Sequence, residues 1–355
     1  MPTIVEVAEQ AGVSIKTVSR VLNNEPNVRP ETRELVLRVA GELNYRPKLS
    51  ARSLAGARSF LIGLLYYDPS AEFVARVQRG ATLRCREAGY HLVVEALGSA
   101  ARDVGPQLDH MLAALRPDGV ILTPPICDNP EVLAAMEATR TPCVLISPGH
   151  QGRRLPHVRM DDVHAAEEVT NLLISLGHRQ IAFIKGASDQ AASAWRLRGF
   201  RQAMRAHELE VDESLLCQGD FQFASGEAAA HQLLSRRSPP TAVFASNDDM
   251  ALGVLAAAHR LGVQVPQDLS VVGFDDSPAA SLVWPALTTV RQPLMEMATA
   301  AVDMLLERGG RPTADGVQQP SAPRVLAHEL VVRASTAAPA KRGRRAPGSH
   351  ADRLA

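Results

Sequence analysis

Hydrogen-bond donors recur along one edge of a short amphipathic segment, SIKTVSRVLN, at residues 14–23. Its apolar side chains share one face at helical spacing, and we expect that face to be buried: Ile15, Val18, Val21 and Leu22. The opposite edge carries Lys16 and Arg20 beside hydroxyl groups. A guanidinium can donate two hydrogen bonds to O6 and N7 of guanine, and an ammonium can reach similar acceptors. This edge is therefore suited to read a groove of DNA, although an ordinary surface helix has the same pattern.

Two further predicted helices position this segment. Thr3 and Glu6 form a capping-box pattern at the start of a first helix, and Gly12 stands where a left-handed residue would end it. Ser14 can then cap the second helix, and a third is expected from Pro30 to about residue 43. Two short helices joined by a tight turn are typical of a helix-turn-helix and also of a plain αα-hairpin.

The charge of the chain is unevenly distributed. The formal net charge is zero over 355 residues, but it is +3 in residues 1–58, −7 in residues 59–335 and +4 in the last twenty. A basic head on an acidic body favours contact with a polyanion through the head alone.

Cysteine spacing and hydropathy indicate the cellular compartment of the protein. The four cysteines have no CxxC spacing, which indicates reduced thiols: Cys85, Cys127, Cys143 and Cys217. The first residues lack the pattern of a secretory signal, and no run of 18 apolar residues occurs. We therefore expect a cytoplasmic protein without a membrane span.

The body of the chain alternates short apolar runs with amphipathic helical segments, which predicts parallel sheets covered on both faces. The candidate strands are FLIGLLYY, YHLVVEAL, GVILTP, TPCVLISP, IAFIKG, TAVFAS and LSVVGF. They form two series divided near Arg159, so we predict two similar α/β lobes. Ligands of open parallel sheets bind beyond the carboxyl ends of the strands, which places the expected site in the cleft between the lobes.

Motifs for catalysis or cofactor binding are missing from the sequence. It contains no GxxxxGK[ST], no GxGxxG after a strand, no HExxH and no GxSxG, so we expect no cofactor, metal or catalytic residue. Two carboxylate pairs could serve as acid–base groups or metal ligands: Asp161–Asp162 and Asp248–Asp249. Both begin predicted helices, where the helix dipole stabilises negative charge, so a structural role is favoured.

Several segments of the sequence resemble those of a known protein family and occur in the same order along the chain. TIVEVAEQAGVSIKTVSRVLN, NVRPETRELVLRVAGELNYRP and ARSLAG strongly resemble the DNA-binding head of the LacI family of bacterial transcription regulators. The resemblance continues to about Arg333 through VRMDDVHAA, LISLGHRQIAFIKG, ASNDDMALGVL and DLSVVGFDDSPAASLVWPALTTVRQP. It implies an all-α helix-turn-helix DNA-binding head (1–48), a hinge helix (49–58) and an α/β periplasmic-binding-protein-like body of two parallel-sheet lobes (59–335) that crosses back near residue 291. Composition predicts that the basic tail, 336–355, is disordered and either attracts phosphates or solubilises the chain.

The resemblance also implies contacts with double-stranded operator DNA. The base-reading positions are occupied by Ile15, Lys16 and Arg20, and the phosphate-contacting positions by Ser14, Thr17, Ser19 and Asn23. Tyr45 resembles a further backbone contact, and Leu54 resembles the residue that wedges into the minor groove from the hinge. Two residues depart from the family pattern: Arg29 replaces the usual serine cap of the third helix, and Lys48 replaces an asparagine.

In the body the resemblance implies an effector site. Its polar members are Arg196, Asn247 and Asp275, and its aromatic members are Phe221 and Phe73. These residue types suit a polyol, so a sugar is the favoured effector. However, Ser147-Pro148 and DPSAEF (68–73) depart from the common first-lobe pattern, so purine-like and phosphorylated effectors stay open. Structural roles also stay open for Arg196 on the surface, Phe221 in the core and Asp276 as a helix cap.

The favoured function is that of a transcriptional regulator, with repression as the favoured mode of action. It binds a pseudo-palindromic operator as a homodimer or tetramer and responds to a small molecule. A sugar-binding transport receptor would share the body but has no use for SIKTVSRVLN. A Rossmann-like enzyme would need a catalytic constellation that the sequence lacks.

Overall fold

The computed structural model describes residues 2–22, 25, 27–45, 58–67, 70–97, 101–149, 155–307 and 322–340, with residues 101–103 described by their backbone alone. The predicted contacts Asn23 and Leu54 lie outside the described residues, as does most of the predicted hinge.

The head consists of α1 (Ile4–Ala11), α2 (Ile15–Leu22) and α3 (Pro30–Glu42). The predicted capping box is confirmed: the Thr3 hydroxyl accepts a hydrogen bond from the Glu6 N–H, and the Glu6 carboxylate accepts one from the Thr3 N–H. Gly12 ends α1 with a left-handed φ of 65°. The helices enclose a small apolar core of Val7, Ala8, Ala11, Val18, Val21, Val36, Val39 and Ala40.

The buried face of α2 is narrower than the sequence pattern predicts. Val18 and Val21 are buried and Leu22 is partly buried, but Ile15 is 48% exposed, so its predicted burial is wrong. Ile15 is the first residue of α2 and therefore lies at the end of the helix rather than over the core. Arg29 precedes α3 without making a side-chain cap, as its replacement of serine predicts.

The first lobe is built on a parallel sheet of six strands: β1 (Leu61–Tyr66), β2 (His91–Ala96), β3 (Gly119–Leu122), β4 (Cys143–Ile146), β5 (His157–Arg159) and, from much later in the chain, β11 (Arg324–Val325). Their order across the sheet is β11-β5-β4-β3-β1-β2. The helices of this lobe are α4 (Ala71–Glu87), α5 (Ala101–Leu115), α6 (Pro130–Ala138) and, from much later in the chain, α12 (Leu294–Glu307). Helices α4 and α12 pack closely where Gly80 meets Met295, since a Cβ on Gly80 would lie 2.4 Å from the Met295 carbonyl oxygen.

The second lobe is built on a parallel sheet of β6 (Ile181–Lys185), β7 (Leu216–Gln218), β8 (Ala242–Ala245) and β9 (Ser270–Val272). Their order across the sheet is β7-β6-β8-β9. Its helices are α7 (Asp162–Ser175), α8 (Ala191–Ala206), α9 (Phe223–Leu234), α10 (Asp248–Arg260) and the short α11 (Pro278–Leu282). A small antiparallel pair, β10 (Thr289–Arg291) with β12 (Glu329–Val331), packs against this lobe.

The chain passes between the lobes after β5, after β10 and again between β11 and β12. The third passage was not predicted, because β11 and β12 have two and three residues and carry no apolar period. All seven predicted strands are confirmed, whereas the short β5, β7, β10, β11 and β12 were missed.

The predicted disorder of the tail is wrong for its first residues, 336–340. Ala337 donates its N–H to the Ser270 hydroxyl at 3.0 Å, and its carbonyl oxygen lies 2.9 Å from Nε2 of the buried His178. Backbone hydrogen bonds to buried polar groups hold this segment, and composition does not reveal them. Residues 341–355 lie outside the described part of the chain.

All four cysteines are buried, and none of them forms a disulfide bond. Within the described residues, the helices lack the combination of length and apolarity that crossing a bilayer requires.

Candidate functional site

The outer edge of α2 is exposed to solvent. Ile15 and Lys16 are exposed, and the Arg20 guanidinium lies 3.5 Å from the Glu25 carboxylate with both side chains more than two-fifths exposed. These three predicted base-reading residues share an accessible surface over the buried Val18 and Val21.

The predicted phosphate contacts near the start of α2 are organised by a cap. The Ser14 hydroxyl accepts a hydrogen bond from the Thr17 N–H at 3.1 Å and lies 2.9 Å from the Thr17 hydroxyl, which confirms the predicted cap. Ser19 is half-buried. Tyr45 follows α3 and packs partly against the head core, where burial raises the pKa of its hydroxyl.

The predicted effector residues lie together in one cleft between the two lobes. Phe73 reaches it from α4 of the first lobe, and Arg196, Phe221, Asn247 and Asp275 line it from the second lobe. The cleft is also lined by Ser70, Pro124, Ser147, Asp162, Gln190, Ala192 and Gln292. Most of these residues follow the carboxyl ends of strands, as the rule for parallel sheets predicts.

Arg196 is a buried residue of α8 and not a surface arginine. Its Nε and Nη2 atoms each lie 2.9 Å from the same carboxylate oxygen of Asp162, and Nη1 donates to the Ser246 carbonyl. The guanidinium carbon lies 3.7 Å from the centroid of the Phe274 ring. Burial raises the pKa of Asp162, while the positive charge of Arg196 opposes that rise. The pair is therefore fixed in position before any ligand binds.

Asn247 connects the start of α10 to the loop that carries Phe221. Its side-chain oxygen caps the helix by accepting from the Met250 N–H, and its amide nitrogen donates to the Phe221 carbonyl at 2.9 Å. Phe221 has a positive φ of 71°, and its ring occupies the space that a Cβ on Gly186 would need. Phe221 thus packs into the wall of the cleft, and it combines the predicted core role with a place in the lining.

Asp275 follows β9 in a strained conformation, with a φ of 142°. The residue is 8% exposed, and its carboxyl group accepts a hydrogen bond from the Gln292 side chain. Burial, together with the nearby Asp248 carboxylate, raises the pKa of Asp275 to about 8. At neutral pH the carboxyl therefore can both donate and accept hydrogen bonds.

Asp276 does not cap a helix, so that alternative is wrong. Its carboxylate binds Arg333, which follows β12, at 2.5 Å and Arg291, at the end of β10, at 2.7 Å. Burial raises its pKa, but the hydrogen bonds from the two arginines outweigh burial and lower it overall.

The aspartate pairs have structural partners. Asp161 caps α7 by accepting from the His164 N–H at 3.0 Å, and Asp248 accepts from the Ser277 N–H and the Thr289 hydroxyl. In the described part of the chain, no group of three or more His, Cys, Asp or Glu side chains is arranged to hold a metal ion.

Sequence reasoning missed Gln190 and Gln292, and for Asp162 it favoured a structural role at a helix start over an acid–base or metal-binding role. Gln190 directly precedes α8 after β6, and Gln292 follows β10. Their positions next to strand ends were the available signal. The pairing of Asp162 with Arg196 had no local signal, because it joins the first turn of α7 to α8 across 34 residues of sequence.

Comparisons with known proteins cover nearly the whole chain. The family model for bacterial regulatory proteins of the lacI family matches residues 3–48, and the model for a periplasmic binding protein-like domain matches residues 170–336. The HTH-type transcriptional regulator DegA of Bacillus subtilis is 36% identical over 94% of this chain and 98% of its own length.

Solved structures agree with these relatives. The Lac repressor dimer bound to operator and the anti-inducer ONPF has a TM-score of 0.77 and 29% identity, over 95% of this chain and 99% of that one. The transcriptional regulator CelR in complex with cellobiose has a TM-score of 0.70 and 33% identity, over 94% of this chain and 100% of that one. The predicted fold of a helix-turn-helix head and a two-lobe α/β body is thereby confirmed. The chain belongs to the LacI family and is a DNA-binding transcriptional regulator rather than an enzyme.

Proposed function

We propose that this regulator is a repressor that binds a pseudo-palindromic operator as a homodimer and responds to a sugar in the cleft. In this assignment residues 1–48 bind DNA, residues 49–58 form the hinge with Leu54 at the minor groove, and residues 59–335 bind the effector and dimerise.

The exposed edge of α2 is the observation that carries the DNA-binding part. Arg20 and Lys16 are accessible donors beside the apolar Ile15, which suits guanine acceptors and a thymine methyl group in a major groove. The Ser14 cap holds the start of the helix, where phosphate contacts are expected. A dimer places two such helices on two half-sites, and the related Lac repressor binds its operator as a dimer.

The cleft supports a sugar as the effector. Polar side chains and aromatic rings line the same cleft, and the related CelR is in complex with cellobiose. A ligand that contacts Phe73 from one lobe and Asp275 from the other favours the closed arrangement of the lobes. Such a ligand shifts the population between DNA-competent and incompetent states.

The test is selection from random duplex DNA with the full-length protein, repeated with sugars and nucleobases that raise its melting temperature in a ligand screen. We expect a two-fold symmetric sequence to be enriched, and a stabilising sugar to change the affinity for that sequence. If no symmetric sequence is enriched at any salt concentration, the DNA-binding proposal is wrong. If nucleobases stabilise the protein and sugars do not, the effector assignment is wrong.

A further inference from the structure

Few of the residues described in the cleft are charged, and the acidic residues outnumber the basic ones. Of the described residues that line it, Arg196 is cationic, Asp162 and Asp275 are acidic, and the others are uncharged. A phosphorylated ligand would bring about two negative charges into this space.

The positive charge of Arg196 is already balanced. Two of its nitrogen atoms contact one oxygen of Asp162 at 2.9 Å, and a third donates to the Ser246 carbonyl. The side chains of Arg196 and Asp162 are 5% and 2% exposed. An anionic ligand that took over the guanidinium would leave the Asp162 carboxylate buried beside a second negative charge, which is strongly unfavourable.

Asp275 adds no positive charge to the cleft in either protonation state. Its raised pKa, about 8, makes it mainly neutral at pH 7, and at higher pH it becomes a second negative charge in the cleft. The lining thus carries no net positive charge in either state.

One uncharged donor in the cleft has no partner in the described part of the chain. Gln190 lines the cleft, and its buried Nε2 atom makes no hydrogen bond to any described residue. A buried amide N–H without a partner favours a ligand that offers an oxygen or nitrogen acceptor, and an uncharged molecule can supply one.

We propose that the cleft selects an uncharged effector and rejects phosphorylated molecules, because Asp162 already neutralises Arg196. This inference rests on the proposed function, since it concerns the effector of the same cleft. It narrows the effector to molecules such as unmodified sugars and excludes sugar phosphates and nucleotides.

The test is calorimetric titration of the full-length protein with inorganic phosphate and with glucose 6-phosphate, at constant ionic strength. Four proteins are compared: wild type, Asp162→Asn, Asp161→Asn and Arg196→Gln. Asp161→Asn is the matched control, because it removes one negative charge from the neighbouring, exposed residue and leaves a side chain that can still cap α7. Any general attraction of anions, including attraction to the basic head, is therefore the same in the two aspartate variants.

We expect Asp162→Asn to bind phosphate at least about tenfold more tightly than wild type and Asp161→Asn, since only that variant releases the charge of Arg196. Wild-type binding that disappears in Arg196→Gln would overturn the proposal, as would equal affinities of a folded Asp162→Asn and Asp161→Asn. If Asp162→Asn does not fold, comparison of wild type with Arg196→Gln decides the question, and equal phosphate binding by the two supports the proposal. Failure of every sugar in the ligand screen would refute the sugar assignment without changing this phosphate result.

Discussion

The two regions proposed to bind ligands hold their polar groups in opposite ways. On α2, Arg20 is more than two-fifths exposed and pairs with Glu25 at 3.5 Å. In the cleft, Arg196 and Asn247 are 4% and 2% exposed, and both make hydrogen bonds to other parts of the protein. Breaking an exposed pair costs little, whereas breaking a buried one leaves an uncompensated charge. Substitutions in the head should therefore alter binding alone, and substitutions in the cleft should alter binding and folding together.

The largest effect is expected for Arg196→Ala. This substitution leaves the buried Asp162 without its partner and should lower the free energy of unfolding by about 3–5 kcal/mol, besides abolishing the effector response. Urea unfolding measures the loss. Arg198→Ala is the control, because Arg198 is exposed on the same helix. Equal stability of the two variants would show that the Arg196–Asp162 pair contributes nothing to the fold.

The next effect is a pH dependence at Asp275. Its pKa in the folded protein, about 8, lies above the ordinary value of 3.8, so between those values the folded state holds a proton that the unfolded state has released. The free energy of unfolding should therefore fall as pH rises through this window, by at most about 1.4 kcal/mol per pH unit. In Asp275→Asn this contribution is removed, so the variant should gain stability relative to wild type between pH 5 and pH 7 in urea unfolding. Asp189→Asn, at an exposed loop carboxylate, should keep the wild-type pH profile, and a parallel profile for Asp275→Asn would contradict the prediction.

The same contrast explains what sequence could predict. The capping box at Thr3, the turn at Gly12 and the long apolar strands are local patterns, and all are confirmed. The five predicted effector residues were named from the family resemblance, and they share one cleft because parallel strands bring their carboxyl ends to one edge.

Features that depend on distant parts of the chain were not predictable. The Asp162–Arg196 pair, the positive φ values of Phe221 and Asp275, and the bonds of Ala337 each require tertiary contacts. The predicted burial of Ile15 was wrong for a related reason, since helical spacing assigns a residue to a face of the helix but does not show where a small core ends.

In the head, Arg20→Ala should weaken operator binding by about 1–3 kcal/mol and relax specificity at one base pair, with little change in stability. Fluorescence anisotropy with the selected operator and single-base variants measures the loss. Arg38→Ala removes the same charge from an exposed position on α3 and serves as the control. If Arg20→Ala binds scrambled DNA more weakly by the same factor, Arg20 contacts phosphates rather than bases.

The smallest effect is expected at an arginine of intermediate burial. Arg76 lies half-buried on α4 of the first lobe and donates to the backbone carbonyls of Asp275 and Asp276 in the second, at 2.8 and 3.3 Å. It joins the lobes at the turn formed by these two aspartates. The Asp275 side chain lines the cleft, and the Asp276 carboxylate binds Arg291 and Arg333. Removal of a half-exposed hydrogen bond of this kind should cost about 1 kcal/mol.

Arg76→Ala should therefore speed hydrogen exchange of the backbone amides around Asp275 and Asp276, measured by mass spectrometry, while Arg79→Ala, exposed on the same helix, should leave it unchanged. Because Arg196 is buried, whereas Arg20 and Arg76 are only partly buried, the alanine variant of Arg196 should also lose the most stability of the three. If Arg76→Ala lowers the free energy of unfolding as much as Arg196→Ala does, the interlobe contact, and not burial of the charge, determines how strongly a substitution at the cleft destabilises the protein.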